Sequence, residues 1–289
     1  MSQATDFLNP AGFLKDGGAL ARFRHRCASE NCPHRRKLLA GWRSQYDGIE
    51  FGSLPYCSAI CAEAALEKEI ERLLLGARQE NRKAHRIPLG LLLVTRGIVT
   101  SKQVEEALRL QRENGTGRIG RWLLEINALT EGQLTASLGV QWSCPVFPLE
   151  QHDAYLKCAS MLPMGILQSE GVLPVHYSPE ANTLFLAFAK RIDHTLLYAV
   201  EQMTGHRASP CVASDAAVVS ALDRLTRSPR SRETLFDSVR KAREMAATTV
   251  NYAAKLQALS IQVTCAANHV WFRFRGRDAW HDLLFRLLQ

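Results

Sequence analysis

"RIGRWLLEINALTEGQLTASLGVQ", residues 118–141, restates "PLGLLLVTRGIVTSKQVEEALRLQ", residues 88–111. Aligning them sets Leu89 on Ile119, Gly90 on Gly120, Leu93 on Leu123, and Gly97 on Asn127. The register continues through Thr100 and Thr130 to Gln111 and Gln141. Gly and Asn are the residue types that most readily turn left-handed, which suits the end of a short helix. Thr100 with Gln103, and Thr130 with Gln133, have the Thr-x-x-Gln spacing of a capping box that opens the next helix. Val104 and Leu108, like Leu134 and Leu138, then share one helical face. Each copy is therefore expected to be a short helix, a tight turn and a longer helix.

Between the copies, "GTGRIG" (115–120) satisfies the dinucleotide fingerprint G-x-G-x-x-G. That motif works only after a strand, and here a capped helix precedes it, so it reads as a linker. The tandem resembles the paired motifs of the MshEN domain, found at the front of type II secretion and type IV pilus assembly ATPases. Arg118, Ile119, Gly120, Leu123, Leu124, Leu129, Leu134, Leu138 and Gln141 match the pattern, with Asn127 at its Gly position. Leu89, Gly90, Leu93, Val94, Gly97, Ile98, Val99, Val104, Leu108 and Gln111 match in the first copy. There Pro88 replaces the leading Arg, and Arg86 is the nearby substitute. The resemblance implies cyclic di-GMP bound across both copies by Arg86, Leu89, Gly90, Leu93, Gly97, Gln111, Arg118, Ile119, Gly120, Leu123, Asn127 and Gln141. It implies a component of the pilus or secretion machinery as partner.

Resemblance continues to about residue 226 as an α+β half, residues 150–226, making a domain of 85–226. "EGVLPVHYSPEANTLFLAFA" (170–189) reads as two strands about a turn, followed by a helix from Asp193 to Gly205. A short strand and the helix of 214–225 complete it. After the polar "TRSPRSRE", a helix and the hairpin "SIQVTCAANHVWFRFRG" (260–276) make a C-terminal module, 227–289. "WHDLL" (280–284) reads as an amphipathic segment whose His281–Asp282 pair is structural.

Eight cysteines occur, and the early ones are paired. "RCASENCPHRR" places Cys27 and Cys32 as C-x4-C; "LPYCSAICAEAALEKEIERLLLG" places Cys57 and Cys61 as C-x3-C running into a helix. Two such pairs joined by a hairpin supply the tetrahedron zinc requires, and the arrangement resembles a treble-clef finger over residues 21–80, behind a tail of 1–20. His25 and His34 are alternative ligands, and four unrelated thiols are the competing reading. Cys144, Cys158, Cys211 and Cys265 are scattered among apolar residues and read as filler.

The net charge of +8 suits an anionic partner, and Arg22, Arg24, Arg26, Arg35, Arg36, Lys37 and Arg43 crowd the cysteines. Neither a signal peptide nor a run long enough to cross a bilayer is expected, which places the chain in the cytoplasm without membrane insertion. No G-x-x-x-x-G-K-[ST] loop occurs, and the chain stops where a motor core would begin, so no enzyme activity is expected. The fold class is α+β and multidomain. Three functions stay open: a cyclic di-GMP receptor or its degenerate form, a ligand-free adaptor of a secretion or pilus motor, and a zinc-finger nucleic-acid binder.

Overall fold

Each repeated sentence folds as one helical corner. The computed structural model describes residues 27–33, 48–77, 87–149, 153, 155–227, 232–237, 241–266 and 268–287. In the first copy α2 (Leu89–Thr95) turns into α3 (Ser101–Asn114); in the second, α4 (Ile119–Glu125) turns into α5 (Glu131–Trp142). Both capping boxes are complete: the Gln103 and Gln133 amides donate to Thr100 and Thr130 Oγ1, and their side-chain oxygens accept from the Thr amides at 2.8 Å. Gly97 (φ 68°) and Asn127 (φ 54°) are left-handed, as the turn needs. The amide after each, Ile98 or Ala128, reaches back to Leu93 or Leu123, closing the same helix stop twice. Leu93, Val99, Leu123 and Leu129 form the shared core.

The copies are followed by α6 (Tyr155–Cys158), a 3-10 turn (Ala159–Met161) and α7 (Met164–Glu170). Then come β3 (Val172–Ser178), β4 (Thr183–Phe188), α8 (His194–Thr204), β5 (Arg207–Val212) and α9 (Asp215–Thr226). The sheet runs β3-β4-β5, with β3 antiparallel and β5 parallel to β4. Asp193 caps α8 through the Thr195 and Leu196 amides, and Gly205 (φ 76°) ends it. The fold is α+β, and residues 80–231 form one compact unit.

The second unit combines residues 1–79 with 232–289. β1 (Ile49–Phe51) and β2 (Leu54–Tyr56) are joined by Gly52 (φ 57°) and Ser53 (φ 62°), the left-handed pair of a two-residue type I′ hairpin. α1 (Ala59–Ala77) follows; much later come β6 (Glu233–Phe236), α10 (Ala242–Lys255), β7 (Ser260–Ala266), β8 (His269–Arg275) and β9 (Trp280–Arg286). The sheet order is β2-β1-β7-β8-β9-β6. The sequence treats 21–80 and 227–289 as separate modules, but β1 lies parallel to β7 and α1 packs on α10. Three-residue strands cannot bury a core of their own, so Ile49, Phe51, Leu66 and Ile70 join Val250, Ile261, Phe272 and Phe285 in one.

Two further differences have local causes. Residues 233–236, adjoining the expected linker, form a strand that pairs with β9. "WHDLL" is part of β9, where Leu283, Leu284 and Phe285 are all buried; a strand covered on both faces loses the alternation that would mark it. Asp282 is structural: it accepts from Arg273 Nε (2.7 Å), Arg273 Nη2 (2.8 Å) and Trp271 Nε1 (2.9 Å), all buried. The expected tail 1–20, Arg86, His25, His34 and the seven-residue basic cluster lie outside the described residues.

Candidate functional site

The four early cysteines come together. Cys27 and Cys32 lie in the loop before β1, Cys57 directly follows β2, and Cys61 stands in the first turn of α1. Their sulfurs all lie within 4.8 Å of one another, with Cys32–Cys57 at 3.5 Å and Cys57–Cys61 at 3.4 Å. Four thiolates about 2.3 Å from a zinc ion sit roughly 3.8 Å apart, so the donor set fits a tetrahedral metal. Burial pushes the Cys57 thiol up, helped by bonds to the neighbouring sulfurs, and burial also raises Cys61. A cation reverses that preference, since thiolate is the ligand. With every position filled by protein, such a site holds structure and does no chemistry. Of the scattered cysteines, Cys158 and Cys211 are buried as expected, and burial pushes Cys211 up to about 12.

The tandem copies exchange parts. Gln111 ends the first copy and donates to the Gly117 carbonyl at the entrance of the second, at 2.7 Å. Gln141 ends the second and donates to the Ile87 carbonyl at the entrance of the first, at 2.6 Å. The helices cross the same way: α2 packs on α5, and α3 on α4. A Cβ on Gly90 would meet Val104 of its own copy (3.0 Å) and Ile119 of the other (3.3 Å). One on Gly120 would meet Leu134 (3.0 Å) and Leu89 (3.6 Å), the equivalent residues. The pair thus has approximate two-fold symmetry.

This sorts the residues the resemblance points to. Leu93 and Leu123 are fully buried and Gly90 and Gly120 are buried at the crossing, so they support a surface and do not lie on it. Gly97 and Asn127 are exposed in their turns. Leu89 and Ile119 are half-buried where the copies meet, and Gln111 and Gln141 are the exchanged caps. Arg118 is the N-cap of α4 without capping it; its Nη1 donates instead to the Lys190 carbonyl. Burial, and the nearby Arg191, push the Arg118 guanidinium below arginine's usual range.

Residues 142–232 match the family model of the MshEN domain. Over that stretch the chain is similar to the MshEN domain. The match covers the α+β half, the part whose likeness is weaker by motif, and begins where the second copy ends. The type IV pilus assembly ATPase PilB of Thermus thermophilus is 25% identical over 134 residues, which make 46% of this chain and 15% of that protein's length. A solved structure of MshE with cdg is 29% identical, covering 50% of this chain and 99% of that one at a TM-score of 0.41. The N-terminal domain of XpsE is 16% identical, covering 50% and 98% at a TM-score of 0.36.

Within the matched residues, Lys190 and Arg191 follow β4 and stand beside Arg118, making a cationic corner that the motif reading misses. Asp215 (3.8 Å from Lys190) and Asp193 (3.5 Å from Arg191) balance it in part. The dibasic "AKRIDH" (189–194) just before a helix cap was the available signal. Glu131, at the start of α5, accepts from the Ala216 amide at 3.0 Å, a second tie between the copies and the α+β half. Among the described residues no helix is long and apolar enough to cross a membrane.

Proposed function

We propose that this chain is a non-enzymatic cytoplasmic regulator of a type IV pilus or type II secretion machine, and that its tandem copies and MshEN domain receive cyclic di-GMP. The observation that carries the reading is the exchange of Gln111 and Gln141 between the copies. It makes two equivalent corners from one chain, and a cyclic dinucleotide with two like halves presents the same groups to both. Arg118, with Lys190 and Arg191 beside it, offers charge to a phosphodiester and a planar guanidinium to a guanine face. The Lys190 carbonyl occupies one of the five guanidinium donors of Arg118 and leaves others for a ligand. Pro88 denies the first corner its Arg, so the second carries most of the affinity. The pilus assembly role of the Thermus thermophilus relative supports the machine, and the lack of a phosphate loop supports a part without ATP hydrolysis. In this reading the four-cysteine cluster holds a structural zinc.

Calorimetric titration of three proteins with cyclic di-GMP tests it. Arg118→Ala should weaken binding by about 1.5–3 kcal/mol, the worth of a hydrogen bond to a charged group. Pro88→Arg should strengthen it, because Pro88 already has the extended backbone (φ −56°, ψ 137°) that Arg118 adopts at the equivalent cap. No saturation with either wild type or Pro88→Arg, in folded protein, would end the receptor reading. The second reading, a ligand-free adaptor, would then stand, and the engaged Arg118 together with Pro88 favours it. Binding of nucleic acid at the basic cluster is a third and weaker reading.

A further inference from the structure

We infer that the metal at Cys27, Cys32, Cys57 and Cys61 is the clasp that joins the N-terminal segment to the C-terminal strands, so that its occupancy governs the order of β7 and α10. This rests on the zinc reading above and goes beyond it, since the residues controlled lie far along the chain from the ligands.

The N-terminal segment cannot hold its own shape. β1 and β2 are three residues each, and a two-stranded hairpin of that size is unstable alone. Among the described residues, the loop carrying Cys27 and Cys32 meets the hairpin through the Ala28 amide, which donates to the Pro55 carbonyl at 2.9 Å, and through the Cys57 amide, which donates to Cys27 Sγ at 3.4 Å. The inward stripe of α1 is Ala62, Leu66 and Ile70, all fully buried, and it packs chiefly against residues after 240. Among the described residues, β1 pairs with β7 at Glu50–Ser260 and Phe51–Ile261, with a further bond from the Glu50 amide to the Leu259 carbonyl.

The four sulfurs sit where these weak parts join. Cys57 directly follows β2 and Cys61 is in the first turn of α1, so an ion gripping both sets the helix direction against the hairpin. Phe51 and Leu66 are then presented together to β7 and α10. Without the ion, that angle rests on the buried Ala62, Leu66 and Ile70 stripe and loses the tie at the helix start. Because binding and local folding are then one event, the coupling runs both ways.

Hydrogen exchange on the full chain tests this, comparing zinc-loaded protein with protein stripped by a chelator and then resupplied with zinc. Protection of residues 245–253 and 260–266 should fall together with that of 49–77 and return with zinc, while 89–142 stays unchanged as an internal control. Zinc removal, verified by metal analysis, with 245–266 still protected would overturn the inference and leave the zinc reading intact. Protein that neither retains nor takes up zinc would overturn both. Ile261→Ala gives the reciprocal test without touching a ligand: its zinc dissociation constant, measured against a chromophoric chelator, should rise roughly tenfold. An unchanged constant would overturn the coupling.

Discussion

Adding one methyl group at the crossing of the copies should affect them unequally. An alanine Cβ at position 90 would sit 3.0 Å from Val104 Cγ1 and 3.3 Å from Ile119 Cδ1, pressing two side chains from two copies. At position 120 it would sit 3.0 and 3.3 Å from Leu134 Cδ1 and Cδ2, the far end of a single side chain. Val104 is β-branched and stiff in a helix, whereas one rotation near the tip of Leu134 relieves both contacts. Overpacking costs about 1–3 kcal/mol where neighbours cannot yield, and replacing Gly by Ala in a helix returns up to about 1 kcal/mol. Both glycines occupy the second position of a seven-residue helix, so that return is common to the two variants. Gly90→Ala should therefore lose about 1–2 kcal/mol, and Gly120→Ala should stay within about 0.5 kcal/mol of wild type. Hydrogen exchange of the α3 and α5 amides, or urea denaturation, reads the difference. A costlier Gly120→Ala, or two variants equal to wild type, would refute the packing described at the crossing.

Asp282→Asn should destabilise the second unit by about 3–5 kcal/mol in urea, since it removes the carboxylate that neutralises the buried Arg273 guanidinium. Asp282→Asn paired with Arg273→Met should recover part of that loss. Burial, with Arg286 nearby, pushes the His269 imidazole below its usual range. The native state then binds fewer protons there than the unfolded chain, so stability is complete above about pH 6.5 and declines as the pH falls below it. Denaturation at pH 7.5 and 5.5 should show that decline, and His269→Phe should flatten it. The purified chain should hydrolyse no ATP above background in a phosphate-release assay; turnover abolished by a point mutation in this chain would contradict the regulatory reading.

What was legible in the sequence is what is local. Thr100 with Gln103, Thr130 with Gln133, and the left-handed Gly97 and Asn127 each act within one turn of chain, and their spacing was enough to place every helix of the repeat. The cysteine pairs were legible because their residue type and spacing are those a tetrahedral metal site requires. Pairing across the chain was not. Nothing in "IEF" (49–51) points to Ser260 and Ile261, because parallel strands share no turn and β1 is too short to carry a pattern. β9 hid its register by burying consecutive residues. Arg118 and Lys190 are likewise distant in sequence, so the motif identified the arginine without the carbonyl that holds it.

In the proposed function the two exchanged corners receive one two-fold ligand. Titrating the full wild-type chain with cyclic di-GMP by calorimetry tests this. Saturable heat at one ligand per chain, with new protection from hydrogen exchange confined to 87–142 and the 189–194 loop, is the result predicted. No saturable heat from a folded chain, or protection only in residues outside the copies and the matched 142–232, would contradict it.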